Sequence, residues 1–175
     1  MDSNIRKLTK EQEGLWLDYC INPDSIQYNS YVFLLIKGNL DLEHFIECQD
    51  IVLNHFNTIK IKFIIKDGVP YQSLLKDTGS GYFKFTDLTQ KSENNESPES
   101  IFKKMISRPF KLEEEVCFRI CLIKFSEDCY YYGFTQHHIL SDAFTADIFC
   151  QALSCTYNEG VKALKDKWAQ KTLDE

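Results

Sequence analysis

Apolar and polar positions along the chain switch between a helical period and a strand period, and the switches mark the elements. Leu15, Trp16, Tyr19 and Cys20 follow Thr9–Lys10–Glu11–Gln12. That stretch is a capping box, in which a Thr at the N-cap and a Gln three residues on serve each other's backbone N–H groups. The spacing predicts a helix that Asn22–Pro23–Asp24 stops. Tyr31–Val32–Phe33–Leu34–Leu35–Ile36 is almost continuously apolar, the pattern of a strand buried on both faces. Gly38–Asn39–Leu40–Asp41 turns the chain, and Asp41 caps a second helix. On that helix Leu42, Phe45, Ile46, Val52, Leu53 and Phe56 share one face. Ile59, Ile61, Phe63 and Ile65 then alternate with Lys60, Lys62 and Lys66, a half-buried strand on which Lys60 reads as a solvated lysine. Asp67–Gly68 is a two-residue hairpin turn, and Val69 to Leu75 returns as the partner strand.

The second half continues the alternation. Tyr82–Phe83–Lys84–Phe85 is a short strand, and residues 90–100 are polar, a mobile surface loop. Ser97–Pro98 opens a helix bearing Ile101, Phe102, Met105 and Ile106, with proline at its first position. The strand Val116 to Phe125 turns at Glu127–Asp128, and Cys129 to Gln136 pairs back antiparallel. This strand ends at His137–His138, and Phe144 to Leu153 reads as a helix that Ser141 or Asp142 can cap. Asn158–Glu159–Gly160 stops that helix. Residues 1–160 therefore read as one unit, and 161–175 as a charged C-terminal segment or linker carrying Trp168.

Composition narrows the function classes. With 175 residues, 43% hydrophobic and 14% aromatic, the chain can bury one sizeable core. A net charge of −6 argues against a nucleic-acid binder. Cys20, Cys48, Cys117, Cys121, Cys129, Cys150 and Cys155 are odd in number, lack a Cys-x-x-Cys pair and sit in apolar stretches. They predict free thiols in a reducing compartment. No apolar signal core follows Met1 and no run is long enough to span a membrane, so the expectation is a cytoplasmic protein.

The chemistry concentrates in Gln136–His137–His138–Ile139–Leu140–Ser141–Asp142–Ala143, where a strand gives way to a helix. A neutral imidazole there can take a proton from an amine or alcohol. Three plainer readings stand beside this one. The histidines can be a satisfied core pair. His138 and Asp142, four apart, can be metal ligands, although no third ligand is obvious nearby. Asp142 can simply cap the helix.

The stretch resembles the His-His-x-x-x-Asp-Gly motif of the condensation domains of nonribosomal peptide synthetases, within the superfamily that includes chloramphenicol acetyltransferase. Ala143 stands in place of the motif glycine, which keeps the site small but disfavours positive φ. Further matches run in family order. Gln12 with Leu15–Trp16 resembles the N-terminal helix motif, and Tyr28–Asn29 precedes the first long strand. Gly38–Asn39–Leu40–Asp41 resembles Gly-x-Leu-Asp. His55, Ile59, Lys60 and Phe63 keep the character of Arg-His-Glu-x-x-Leu-Arg-Thr-x-Phe, while Asn54, Phe56 and Ile61 depart from it. Pro109–Phe110–Lys111–Leu112 matches Pro-Phe-x-Leu, and Arg119 stands where the family often has arginine.

The resemblance implies an α/β fold: a chloramphenicol-acetyltransferase-like sandwich half, a mixed sheet flanked by helices. Family condensation domains have two such halves arranged as a V, and this chain looks like the first. The implied reaction is amide-bond formation between carrier-protein-bound acyl or aminoacyl thioesters. His138 is then the residue at the reacting centre, His137 and Asp142 are its supports, and Lys60 is the candidate partner of Asp142. No cofactor is bound directly, because the substrates ride on the phosphopantetheine of partner carrier proteins. The expected partners are those carrier domains and a C-terminal condensation subdomain, with no nucleic acid and no membrane. Two alternatives remain: a non-catalytic carrier-protein docking module of the same fold, or a small oligomeric acyltransferase.

Overall fold

The computed structural model describes residues 4–56, 59–76, 78–79, 81–89, 96–140 and 146–168. The expected cap at Ser141 or Asp142, Ala143, the expected helix start at Phe144, and residues 90–95 of the expected surface loop 90–100 lie outside the described residues.

Two sheets carry the fold. The first is a three-stranded antiparallel sheet ordered β1 (Ile5–Lys7), β4 (Val69–Leu74), β3 (Ile61–Lys66). Its β3–β4 hairpin turns at Asp67 and Gly68, both at positive φ, as a two-residue turn of this kind requires. The second is a four-stranded mixed sheet. In it β2 (Asn29–Lys37), β7 (Cys129–His137) and β6 (Phe118–Ser126) run antiparallel, and β5 (Phe83–Asp87) joins β6 in parallel. The helices are α1 (Lys10–Ile21), α2 (Leu42–His55), α3 (Pro98–Ile106), α4 (Ala146–Glu159) and α5 (Val161–Lys167). Their starts follow the sequence signals. Thr9, Asp41 and Ser97 each accept the backbone N–H three residues on, and Gly160, at φ 86°, separates α4 from α5.

The core divides over the faces of the large sheet. Against one face α2 and α4 bury Phe45, Val52, Leu53, Phe149 and Leu153 on Phe118, Ile120, Leu122, Tyr132 and Phe134. Leu164 of α5 is buried in the same cluster and Trp168 packs against it, with the Trp168 carbonyl accepting from His55 Nε2. Against the other face α3 lays Ile101 and Phe102 on Cys121 and Ile123. Phe102 stacks on Phe33 at 4.2 Å and occupies the space above Gly133. A third cluster joins Trp16 of α1 to Phe63 of the small sheet and to Phe110, Leu112, Ile139 and Leu140. The small sheet and α1 thus close around the end of β7.

One expectation is overturned. β2 is not buried on both faces, because among the described residues it is an edge strand of the large sheet with β7 on one side only. Tyr31 is 56% and Leu35 49% exposed. Helices pack against Val32, Phe33 and Ile36, and Tyr31 meets Phe102 of α3 edge-on at 5.6 Å while staying largely exposed. All seven cysteines are free thiols, and among the described residues no helix is long and apolar enough to cross a membrane.

Candidate functional site

The site forms where β7 ends. His137 N–H donates to the Cys117 carbonyl (2.9 Å), and His138 N–H donates to the Tyr28 carbonyl (2.8 Å). Register fixes the first of these positions, since His137 stands opposite Asn29 at the start of β2. The chain then tightens into a single 3₁₀ turn, His138–Leu140, whose Ile139 and Leu140 are buried. Two hydrophobic anchors and two backbone hydrogen bonds hold the pair of histidines on rigid elements.

Successive side chains of a strand point to opposite faces, and the two imidazoles separate accordingly. His137 is 4% exposed. Its Nδ1 accepts the Ile139 N–H at 3.1 Å, so the ring is neutral with its proton on Nε2. Tyr28 lies 5.9 Å away, and Phe110 meets the ring edge-on at 6.2 Å. Burial, and secondarily the neighbouring His138, pushes the His137 pKa down to about 4. The ring thus resists protonation and is walled in by aromatics. His138, one residue on, is exposed at the head of the 3₁₀ turn.

Lys60 differs from its sequence reading as a solvated strand lysine. It lies just before β3 between buried Ile59 and Ile61, is itself 8% exposed, and donates Nζ to Asn54 Oδ1 at 3.3 Å. Its carbonyl accepts the Leu75 N–H. A buried ammonium needs acceptors, and Asn54 supplies one from α2. Asp142, the partner the resemblance assigns to Lys60, lies outside the described residues. Among the described residues no three His, Cys, Asp or Glu side chains are placed to share a metal ion.

Two further side chains belong to the site. Gln12, read from sequence only as a capping-box residue and a motif match, is buried and does a second job. Its Oε1 accepts the Thr9 N–H, while Nε2 donates to the Ile139 carbonyl at 3.3 Å and reaches Gln72 Oε1 at 3.5 Å. It ties α1 and β4 to the histidine turn. The sequence signal was present: a polar residue on the helix face that also carries Trp16. Arg119 is buried beneath the segment that follows α3. Its Nη1 donates to the Arg108 carbonyl, and its Nη2 donates to the Pro109 carbonyl and the Glu115 carboxylate. Its guanidinium stacks 3.8 Å over Phe110, which favours the planar arginine over lysine. Arg119 therefore fixes Phe110, and Phe110 walls His137.

Known proteins give the chain its family. A family model described as condensation domain matches residues 3–172. Surfactin synthase subunit 1 of Bacillus subtilis is 28% identical over 154 residues, a match covering 86% of this chain and 4% of that protein. Bacitracin synthase 3 of Bacillus licheniformis is 24% identical over 159 residues, covering 91% of this chain and 2% of its own length. The chain thus spans a few per cent of these relatives. Among solved structures, the starter condensation domain of rhizomide synthetase RzmA superposes with a TM-score of 0.79 at 22% identity, covering 98% of this chain and 40% of that one. The tallysomycin biosynthesis protein TlmII gives 0.77 at 20%, covering 98% and 44%. At these identities the structures establish the fold alone, and the family match over residues 3–172 carries the assignment: this chain belongs to the condensation-domain family.

Proposed function

We propose that the chain is the N-terminal subdomain of a condensation domain, and that it contributes His138 to amide-bond formation between two carrier-bound thioesters. The observation that supports this reading most is the division of the histidine pair: His137 is locked, neutral and buried, while His138 is exposed on a turn whose Ile139 and Leu140 are anchored in the cluster around Trp16 and Phe63. In the reaction the acceptor amine attacks the donor thioester carbonyl. A C–N bond forms, the C–S bond breaks, and the amine proton must leave as the donor's pantetheine thiol departs. His138 serves at that centre, either taking the amine proton or holding the amine and the tetrahedral oxyanion by hydrogen bonds. Holding two tethered substrates together supplies much of the remaining advantage. Lys60, with Asp142, is a support of the motif loop.

The partners in this reading are donor and acceptor carrier domains, whose phosphopantetheine arms bring the substrates, and a C-terminal condensation subdomain that completes the cleft. The chain by itself does not turn over. The test is to mix it with loaded donor and acceptor carrier proteins, with and without a C-terminal subdomain supplied as a second polypeptide. The expected result is a peptidyl thioester only when both subdomains are present. Carrier binding without product in the reconstituted pair would favour a docking module. Product from the chain alone, together with a trimeric solution mass, would favour a small oligomeric acyltransferase.

A further inference from the structure

We infer that the notch between α3 and the start of β5 is a binding site for a small oxyanion, a phosphate or carboxylate, carried on a short apolar group. The notch follows from the strand pairing. β5 joins β6 only from the pair Phe83–Ile120 onward, so Arg119, one residue earlier on β6, has no β5 partner beside it. α3 roofs the gap and leaves a cavity of about 330 Å³, a volume within reach of a small organic ligand. None of His137, His138 or Lys60 lines it, so it is separate from the histidine turn.

Its lining mixes cationic and apolar side chains. Arg119 is 5% exposed, and its two terminal nitrogens are taken by carbonyls and by Glu115. Its Nε–H is buried with no acceptor among the described residues. A buried guanidinium N–H without an acceptor is costly, and an oxyanion in the cavity would supply one. Lys84 lines the cavity from β5, where, after the hydrogen bond and charge of Lys104, its own charge helps hold the Glu96 carboxyl below its usual pKa. Lys104 and Arg108 line it too, paired with Glu96 and Glu115 respectively. Four cations thus face two carboxylates, in a chain whose net charge is −6. Ile101 and Met105 of α3 form the apolar wall, which suits a short hydrocarbon or aromatic group behind the anionic head.

The experiment is a ¹H–¹⁵N NMR titration of the full 175-residue chain with phenyl phosphate, hexanoate, inorganic phosphate and acetate. Saturable shifts are expected at Lys84, Ile101 and Met105, with the apolar-bearing anion of each pair binding about tenfold more tightly than the bare one. Phenyl phosphate ahead of hexanoate identifies a phosphate ligand, and the reverse order a carboxylate. Lys84→Met should weaken binding about tenfold without moving the melting temperature, and Lys84→Arg should restore it. Absence of saturable shifts at this cavity with all four probes, equal affinity for the bare and apolar-bearing anions, or unchanged binding in Lys84→Met would each overturn the proposal.

Discussion

His137 and His138 are neighbours in sequence and opposites in environment, and that contrast has a measurable pH signature. In the unfolded chain His137 titrates near the ordinary histidine value, while in the fold burial holds its pKa at about 4. Above the unfolded value both states are neutral and the residue adds no pH dependence. As pH falls between the two values, the unfolded state takes a proton that the fold refuses, so stability is lost. The loss through this residue approaches about 3 kcal/mol and levels off below the folded value. Denaturant melts from about pH 7.5 to about pH 4 should show this fall in the parent. His137→Asn, whose Oδ1 can still accept the Ile139 N–H, should show a shallower one, and equal slopes would contradict the assignment. Gly133 carries a second prediction at this scale. A Cβ there would lie 2.5 Å from Phe102 Cδ2 and 2.7 Å from Cys121 Sγ, so Gly133→Ala overpacks the α3 face. A loss of about 1–3 kcal/mol is expected in thermal or denaturant melts, and Phe102→Leu in the same chain should recover part of it.

At the scale of elements, the parts encoded by local chemistry were legible in the sequence. The capping box at Thr9, the Asp67–Gly68 hairpin and the proline start at Ser97–Pro98 each name their element, because neighbouring residues satisfy the backbone groups involved. What depends on distant partners was not legible. The short β1 exists because β4 offers its free edge. The parallel pairing of β5 with β6 leaves no local trace. An apolar run such as β2 looks the same in sequence whether it sits in the centre of a sheet or at its edge. For the candidate site, the motif placed His137 and His138 at the strand end, while the burial of Lys60 and the reach of Gln12 depend on elements far away in the chain. Gln12 gives the prediction proper to this scale. Gln12→Ala loses both the cap partner and the donor to the Ile139 carbonyl, and should cost about 1–2 kcal/mol. Hydrogen exchange should quicken at the His138 and Ile139 amides more than in α2 or β6. Uniform acceleration across all elements would mean that Gln12 supports α1 alone.

At the scale of the whole molecule, the chain matches one part of its relatives. It spans about two fifths of the solved condensation domain it superposes on, and it presents an edge strand with Tyr31, Leu34 and Leu35 exposed. The proposed reaction therefore belongs to the chain completed by a C-terminal subdomain, and its most direct test is single-turnover amide formation by that complex with each histidine replaced in turn. His138→Ala should slow the step about 10²–10⁴-fold with an unchanged melt, while His137→Ala should lower the melting temperature first. A His138→Ala complex that forms the amide at the parent rate would contradict the account at its centre.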